Sequence, residues 1–242
     1  MFFGSQIFRL DQVDSTNNFA ANLIEQALCQ NGTLVLADAQ TDGKGQRGAL
    51  WESESGKNIL CSYIFFPDKV SVDCLEEYSW SISLALLHCL NYFGIESKIK
   101  WPNDILVKNL KIAGILIENN IIEGKVKSMI IGIGLNVNQL DFSVVNAISM
   151  SQIKCKSFVI DEVLIILTRE LNYWTSFVGK NNGLIKKDYL QQLFGFQTLM
   201  RFEALGQEFE GTIIGVNHRG ELEMYVQDEI KTFRNKEISF LL

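Results

Sequence analysis

The chain has 242 residues, 47% of them hydrophobic, with 22 basic and 28 acidic side chains and a net charge of −6. That content builds a real core, as one large domain or a medium domain with a small appendage, and excludes wholesale disorder. The acidic balance excludes a surface built as a whole for nucleic acid, so a polyanionic ligand must be met by local positive charge.

In chain order, Asp14 or Ser15 caps a helix carrying Phe19, Leu23, Ile24, Ala27 and Leu28, with Gly32 near its end. Residues 33–39 read as a strand, and so does NILCSYIFF at 58–66. A long helix is expected from about Cys74 to Phe93, stopped by Gly94. SKIKW follows, then the break PND, the short ILV, the longer KIAGILIE and a further strand over 126–138. Turn-like links between these β runs predict antiparallel pairing. Asp161 is placed as the cap of a helix reaching Val178, with a shorter helix over Leu184–Phe194. From about Gln197, short β runs split by Gly206, Gly211, Gly215 and Gly220 read as a small β barrel.

The five cysteines show no CxxC pair and stand beside only His88 and His218, which argues against a zinc cage and for reduced core thiols. MFFGSQIFRL lacks the basic region and cleavage site of a signal peptide, and no apolar run approaches the ~20 residues that span a bilayer. The expectation is a soluble cytoplasmic protein with no membrane partner.

Four polar islands interrupt this pattern. The first is GKGQRGALW at 43–51. It satisfies G-x-G-x-x-G, yet no helical period follows, so it is not a dinucleotide fingerprint, and Ala49 rules out a Walker loop. Ordering nine such residues costs about 10–15 kcal/mol, and few apolar side chains offset it. An anion drawing on backbone N–H groups, Lys44 and Arg47 does, which predicts a lid; the plain alternative is a solvated hairpin loop. Trp51 either covers a flat ligand or plugs the core. The second island, KWPND at 100–104, is a turn or a carboxamide and carboxylate, Asn103 and Asp104, fixed beside Lys100. The third, Lys111, either snorkels from its strand or presents a point charge to a phosphate or developing oxyanion. The fourth is GIGLN at 132–136, where Gly132 and Gly134 share one face, open to a ligand or a packed helix.

With DSTNN, QTDGKGQRG, the following Trp51, KWPNDI, KIAGIL and GIGLN in this order, the chain resembles biotin protein ligases over roughly residues 10–140 and into the C-terminal β region. The resemblance implies an α+β fold: a catalytic domain like that of class II aminoacyl-tRNA synthetases over 1–195, with a mixed, largely antiparallel sheet and flanking helices, and a small β-barrel domain over 196–242. It implies a biotin–[acetyl-CoA-carboxylase] ligase that forms biotinyl-5′-AMP from biotin and ATP with Mg2+, then transfers biotin to a lysine of a biotin carboxyl carrier domain. On this resemblance Ser15, Thr16, Asn17 and Gln40 match the biotin pocket. Gly43, Lys44, Gly45, Gln46 and Arg47 match the closing loop, and Trp51 the adenine cover. Lys100, Asn103, Asp104 and Asn136 match the ATP side, with Asp104 also a candidate for magnesium. Lys111 matches the lysine bridging carboxylate and α-phosphate, and Gly114 and Gly132 match close-approach backbone. Lys111, Arg47 and Lys44 are the implied catalytic set. Many relatives carry arginine where this chain has Gln46. The pattern starts near residue 10, which leaves no room for a helix-turn-helix and predicts no DNA partner; an edge strand leaves room for a homodimer. The rival readings are a lipoate ligase or octanoyltransferase of the same fold and a non-catalytic biotin- or nucleotide-binding module.

Overall fold

A computed structural model describes residues 3–67, 72–180 and 183–241, with Arg47 and Asp73 described in their backbone only. The first element is a strand that composition does not announce. In β1 (Ile7–Val13), IFRLDQV alternates exposed and half-buried side chains, as an edge strand does. It pairs in parallel with β2 (Leu34–Gln40), Ile7 opposite Leu34, and α1 (Thr16–Glu25) makes the crossover that a parallel pair requires. α1 is shorter than its apolar pattern predicts. Ala27 adopts φ +53°, a left-handed turn that ends the helix and leaves Ala27 and Leu28 outside it.

The remaining strands of this sheet are β3 (Ile59–Phe65), β4 (Lys98–Lys100), β5 (Asp104–Val107), β6 (Leu110–Ile122) and β7 (Lys125–Leu135). Their order is β1-β2-β3-β7-β6-β5-β4, and from β2 onward each neighbouring pair is antiparallel; short links account for this from β4 to β7, while β2 and β3 are joined through the glycine loop and β3 and β7 are not consecutive. One face carries Leu34, Leu36, Cys61, Tyr63, Ile131 and Ile133 into the main core, with α2 (Leu75–Tyr92) and α4 (Ile160–Thr175). Ile82, Leu84, Leu86 and Leu90 of α2 are fully buried, each worth about 1.5–3 kcal/mol. The other face packs Val35, Ile64 and Ile130 against Ala20 and Leu23 of α1, and leaves the middle of the sheet open beyond the helix.

α3 (Met150–Lys154) is an unforeseen short helix with a Ser149–Gln152 capping box, and α5 (Leu184–Gln192) matches expectation. Asp161 does not cap α4. Val159 is the N-cap, and Asp161 lies in the first turn, where it favours the helix's positive end and pairs with Arg9 of β1 at 2.8 Å. α4 stops at Thr175, short of Val178. The cysteines are not uniformly core residues: Cys61 and Cys89 are buried, and burial pushes the Cys89 thiol up to about 12, but Cys155 is exposed.

The C-terminal strands β8 (Leu199–Ala204), β9 (Gln207–Val216), β10 (Leu222–Val226), β11 (Glu229–Phe233) and β12 (Ser239–Phe240) form a second sheet, ordered β11-β10-β9-β8-β12. Phe233 stacks on Phe209 (5.7 Å), Phe209 on Phe202 (5.9 Å), and Phe240 meets Phe202 edge-on (5.1 Å). Both edge strands therefore share one aromatic core, so the sheet curls like a barrel. No helix among the described residues is long and apolar enough to cross a membrane.

Candidate active site

The floor of the site is three glycines on the open face of the sheet. Gly134 of β7 lies directly opposite Gly114 of β6, and Gly132 opposite Ser62 of β3. A Cβ on Gly134 would sit closer than 3.0 Å to the Trp51 indole, and one on Gly114 would meet both that ring and the Lys111 side chain. A Cβ on Gly132 would strike the Asn17 carboxamide. The glycine pattern thus makes room for two side chains of this chain: Trp51 over Gly134 and Gly114, and over Gly132 the Asn17 side chain of the packed helix α1.

Asn17 belongs to a buried polar network. Gln40 Oε1 accepts from the Thr16 backbone N (2.7 Å) and from Thr16 Oγ1 (3.1 Å). Ser62 Oγ lies 2.8 Å from Thr16 Oγ1 and 2.6 Å from Asn17 Oδ1, and Asn17 Nδ2 donates to Glu118 Oε2 (2.7 Å). Ser15, the N-cap of α1, makes no capping bond with its side chain and lines the cleft. Ser62 and Glu118 were not among the expected site residues. Ser62 had a signal: it is the one small polar side chain within ILCSYIF, a strand buried throughout.

Lys111 reaches the cleft through a β-bulge. Ile105 pairs with Ala113 and Leu106 with Lys111, so Ile112 is the extra residue of β6. Strict alternation from Gly114 would send Lys111 to the core face; the bulge re-aims it onto the glycine floor. Its backbone N donates to Asn146 O (2.8 Å), and its carbonyl accepts from Ile148 N (3.0 Å). Its Nζ lies 2.7 Å from Asp104 Oδ1 and 5.2 Å from the Trp51 ring centroid. A half-exposed ion pair of this kind is worth only about 0–1 kcal/mol in stability, so its consequence is placement of the ammonium. Lys100 stands nearby with its Nζ 5.3 Å from the Phe240 ring, and burial holds its pKa below the usual lysine value, against the raising effect of Asp104.

The glycine loop is a small folded hairpin. Trp51 N donates to Gly43 O (2.8 Å), and Gly45 N to Ala49 O (2.7 Å), around a 3-10 turn over Gln46–Gly48. Within the loop, Gly43 is buried against the Trp51 carbonyl and does not line the cleft, whereas Gly45 does. Lys44 Nζ bonds Asn18 Oδ1 on α1. The Arg47 side chain lies outside the described residues.

These parts enclose a cleft of ≈ 670 Å³, lined by Ser15, Thr16, Asn17, Gln40, Lys44, Gln46, Trp51, Lys100, Asn103, Asp104, Lys111, Gly114 and Gly132. A second cavity of ≈ 370 Å³ adjoins it and shares Leu50, Trp51, Lys100, Asp104 and Lys111 as a wall. Asn136 lines the second cavity and not the first. Its Nδ2 donates to Ile148 O (3.2 Å), while its Oδ1 is buried with no partner. Trp51 Nε1 is likewise buried and unpartnered. Among the described residues two other atoms, Ser97 Oγ and Trp174 Nε1, are orphaned as well but line neither cavity, so it is position at a cavity that makes Asn136 Oδ1 and Trp51 Nε1 open to a ligand. Asn103 lines the first cavity with its amide donor already engaged, Nδ2 to Ile115 O at 2.7 Å. Residues 101–103 form a turn, and Asp104 opens β5. No cluster of three His, Cys, Asp or Glu side chains suited to a metal occurs among the described residues.

The C-terminal sheet supplies the wall that the sequence did not announce: Asn235, Lys236, Ile238, Ser239 and Phe240 all line the first cavity.

Residues 10–136 match the model of the biotin/lipoate A/B protein ligase family. The bifunctional ligase/repressor BirA of Bacillus spizizenii is 31% identical over 97% of this chain and 74% of its own length. The biotin–[acetyl-CoA-carboxylase] ligase of Mycobacterium tuberculosis is 31% identical over 56% of this chain and 52% of its own. Among solved structures, biotin protein ligase from Aquifex aeolicus in complex with biotin and ATP superposes with a TM-score of 0.79 at 24% identity, over 97% of this chain and 98% of that one, which establishes a shared fold.

Proposed function

This chain belongs to the biotin/lipoate A/B protein ligase family, and from that premise we propose that it is a biotin–[acetyl-CoA-carboxylase] ligase working through a bound biotinyl-5′-AMP. Biotin occupies the first cavity, with its ring heteroatoms against Ser15, Thr16, Asn17 and Gln40, while Ser62 supports Thr16 and Asn17 from behind. The adenine of ATP enters the second cavity beside Trp51, where the orphaned Asn136 Oδ1 accepts from a donor such as an exocyclic amine. The observation that carries this reading is the position of Lys111, whose ammonium stands in the wall common to both cavities, held by Asp104 at 2.7 Å.

The chemistry follows from that position. A carboxylate and a triphosphate repel, and a compact cation between them lowers the cost of approach. The biotin carboxylate oxygen attacks the α-phosphorus, the bond to the β-phosphate oxygen breaks, and pyrophosphate leaves; magnesium bound with the nucleotide, with Asp104 the candidate side chain to hold it, would neutralise phosphate charge. Lys111 meets the charge that develops on the α-phosphate, a role a planar guanidinium fills poorly. The glycine loop, with Lys44 and Arg47, then covers the mixed anhydride against water. A carrier lysine attacks the acyl carbon, AMP departs, and an amide forms. Residues 196–242 act in this scheme as a second domain that closes one side of the cleft.

The polar wall argues for biotin over lipoate. An acyl chain or dithiolane offers few hydrogen bonds and gains little from this wall, whereas the ring heteroatoms of biotin add hydrogen bonds to it. Incubation with ATP, magnesium, biotin and a carrier domain, followed by intact mass, tests the reading. A biotin-sized gain on the carrier is expected; no gain, or equal use of lipoate, overturns it.

A further inference from the structure

The C-terminal sheet touches the glycine loop at a polar point. Asn235 Nδ2 donates to Gln46 Oε1 at 2.6 Å, across 189 positions of sequence. Asn235 is itself firmly set in the turn between β11 and β12. Arg234 N donates to Glu237 Oε2 (2.8 Å), and Arg234 Nε to Glu221 Oε1 (3.0 Å), which ties this turn to the one at 217–221. That second turn is pinned in its turn to the catalytic side, because Trp101 Nε1 donates to Gly220 O (2.9 Å) just ahead of Asn103 and Asp104. Gln46, Asn235, Trp101 and Pro102 also line a third cavity of ≈ 400 Å³, between α2 and the C-terminal sheet. The Gln46–Asn235 bond therefore stands as a partition between that cavity and the cleft.

We infer that Asn235 is a positioning residue that latches the glycine loop over the cleft through Gln46, so that the C-terminal sheet helps retain the adenylate. The loop is rich in glycine and keeps its tip ordered with few apolar contacts, so a single anchored bond at Gln46 shifts its closed population appreciably. The chemistry of position 46 is matched to the latch. As placed, Asn235 donates and Gln46 accepts, and since each carboxamide carries both a donor and an acceptor the two side chains can bond in either sense. Glutamine here and asparagine at 235 make a complementary pair.

The retention of an adenylate rests on the ligase reading; the latch itself does not. The test uses the full chain as parent, Asn235→Ala, Gln46→Ala, the double alanine variant, and the exchanged pair Gln46→Asn with Asn235→Gln. Amide hydrogen exchange over residues 43–51 is measured without ligands. Each single variant should speed exchange at 44–48 by about fivefold to tenfold, the worth of one hydrogen bond. The double variant should be no faster than the faster single, since both remove the same bond. The exchanged pair, which conserves the combined side-chain length, should return to within about twofold of the parent. With biotin and Mg-ATP but no carrier, free adenylate in solution per pyrophosphate released should rise by about the same fivefold to tenfold. Unchanged exchange in the single variants, or additive effects in the double, overturns the latch. A parent that releases no pyrophosphate overturns the ligase reading instead, and the exchange data still decide the latch.

Discussion

The two walls of the cleft are built in opposite ways. On the sheet side, Thr16, Asn17 and Ser62 are at most 4% exposed, and their polar atoms satisfy one another from Gln40 through to Glu118. On the other side, the loop and the 235–240 segment meet through half-exposed side chains and a bond between two turns. The first wall sets its geometry while the chain folds, because its buried groups have no alternative partners. The second gains its geometry by closing. On the ligase reading, one wall selects the substrate and the other guards the intermediate.

Lys111 joins the two walls, and its loss should produce the largest effect. Lys111→Ala should slow adenylate formation by roughly 10²–10³-fold, about 2.7–4 kcal/mol of transition-state stabilisation. Lys111→Arg should recover little of it. A single-turnover assay of pyrophosphate release reads both, and a near-parental rate in a folded Lys111→Ala protein would show that the ammonium is not used.

Ser62→Ala breaks the rigid wall alone. Thr16 and Asn17 each lose a buried partner, so biotin affinity should fall by about 1–3 kcal/mol while ATP affinity holds. Calorimetric titration of the two ligands separates these outcomes, and an equal loss for both would contradict the division between the walls.

Gly134→Ala disturbs the boundary. The new methyl meets the rigid Trp51 ring closer than 3.0 Å, so the indole must move, at a cost of about 1–3 kcal/mol. Nucleotide affinity should drop about tenfold with a change in near-UV circular dichroism from Trp51; an unaltered tryptophan signal would place the ring's support elsewhere.

The smallest effect is expected at the third cavity. Burial raises the Glu76 carboxyl above its usual range. The folded chain then holds that proton more tightly than the unfolded one, so Glu76's contribution is full below about pH 4.5 and is lost as pH rises through its raised folded value. At neutral pH the charged form opposes folding. Glu76→Gln should therefore raise Tm by about one or two degrees at pH 7 and leave it unchanged at pH 4. The same rise at both pH values would remove ionisation from the explanation.

The rigid wall was largely legible in the sequence, because STN, KWPND, KIAGIL and GIGLN each carry their polar or glycine residues within a few positions. Strand alternation even placed Gly132 and Gly134 on one face, although what fills the space, Asn17 and Trp51, depends on the folded chain. Two features of that wall escaped. The bulge at Ile112 leaves no mark in a run of apolar residues, and Ser62 reads as one tolerated hydroxyl. The closing wall was hardly legible. Gln46 and Asn235 are polar residues in polar turns, and only tertiary closure brings them together. Strand β1 was missed because IFRLDQV mixes charge into its alternation, as an edge strand facing water permits.

The lining of the cleft by residues 235–240 has a genetic consequence. A nonsense or frameshift lesion near the 3′ end of the coding sequence would spare every signature stretch up to Asn136 and remove a segment resembling a dispensable tail. It would nonetheless delete Asn235, Ile238 and Phe240 from the cleft and uncover Phe202, which packs beneath Phe240. Such alleles should score as loss of function, and a gene truncated there should be counted as inactive however complete its motifs look.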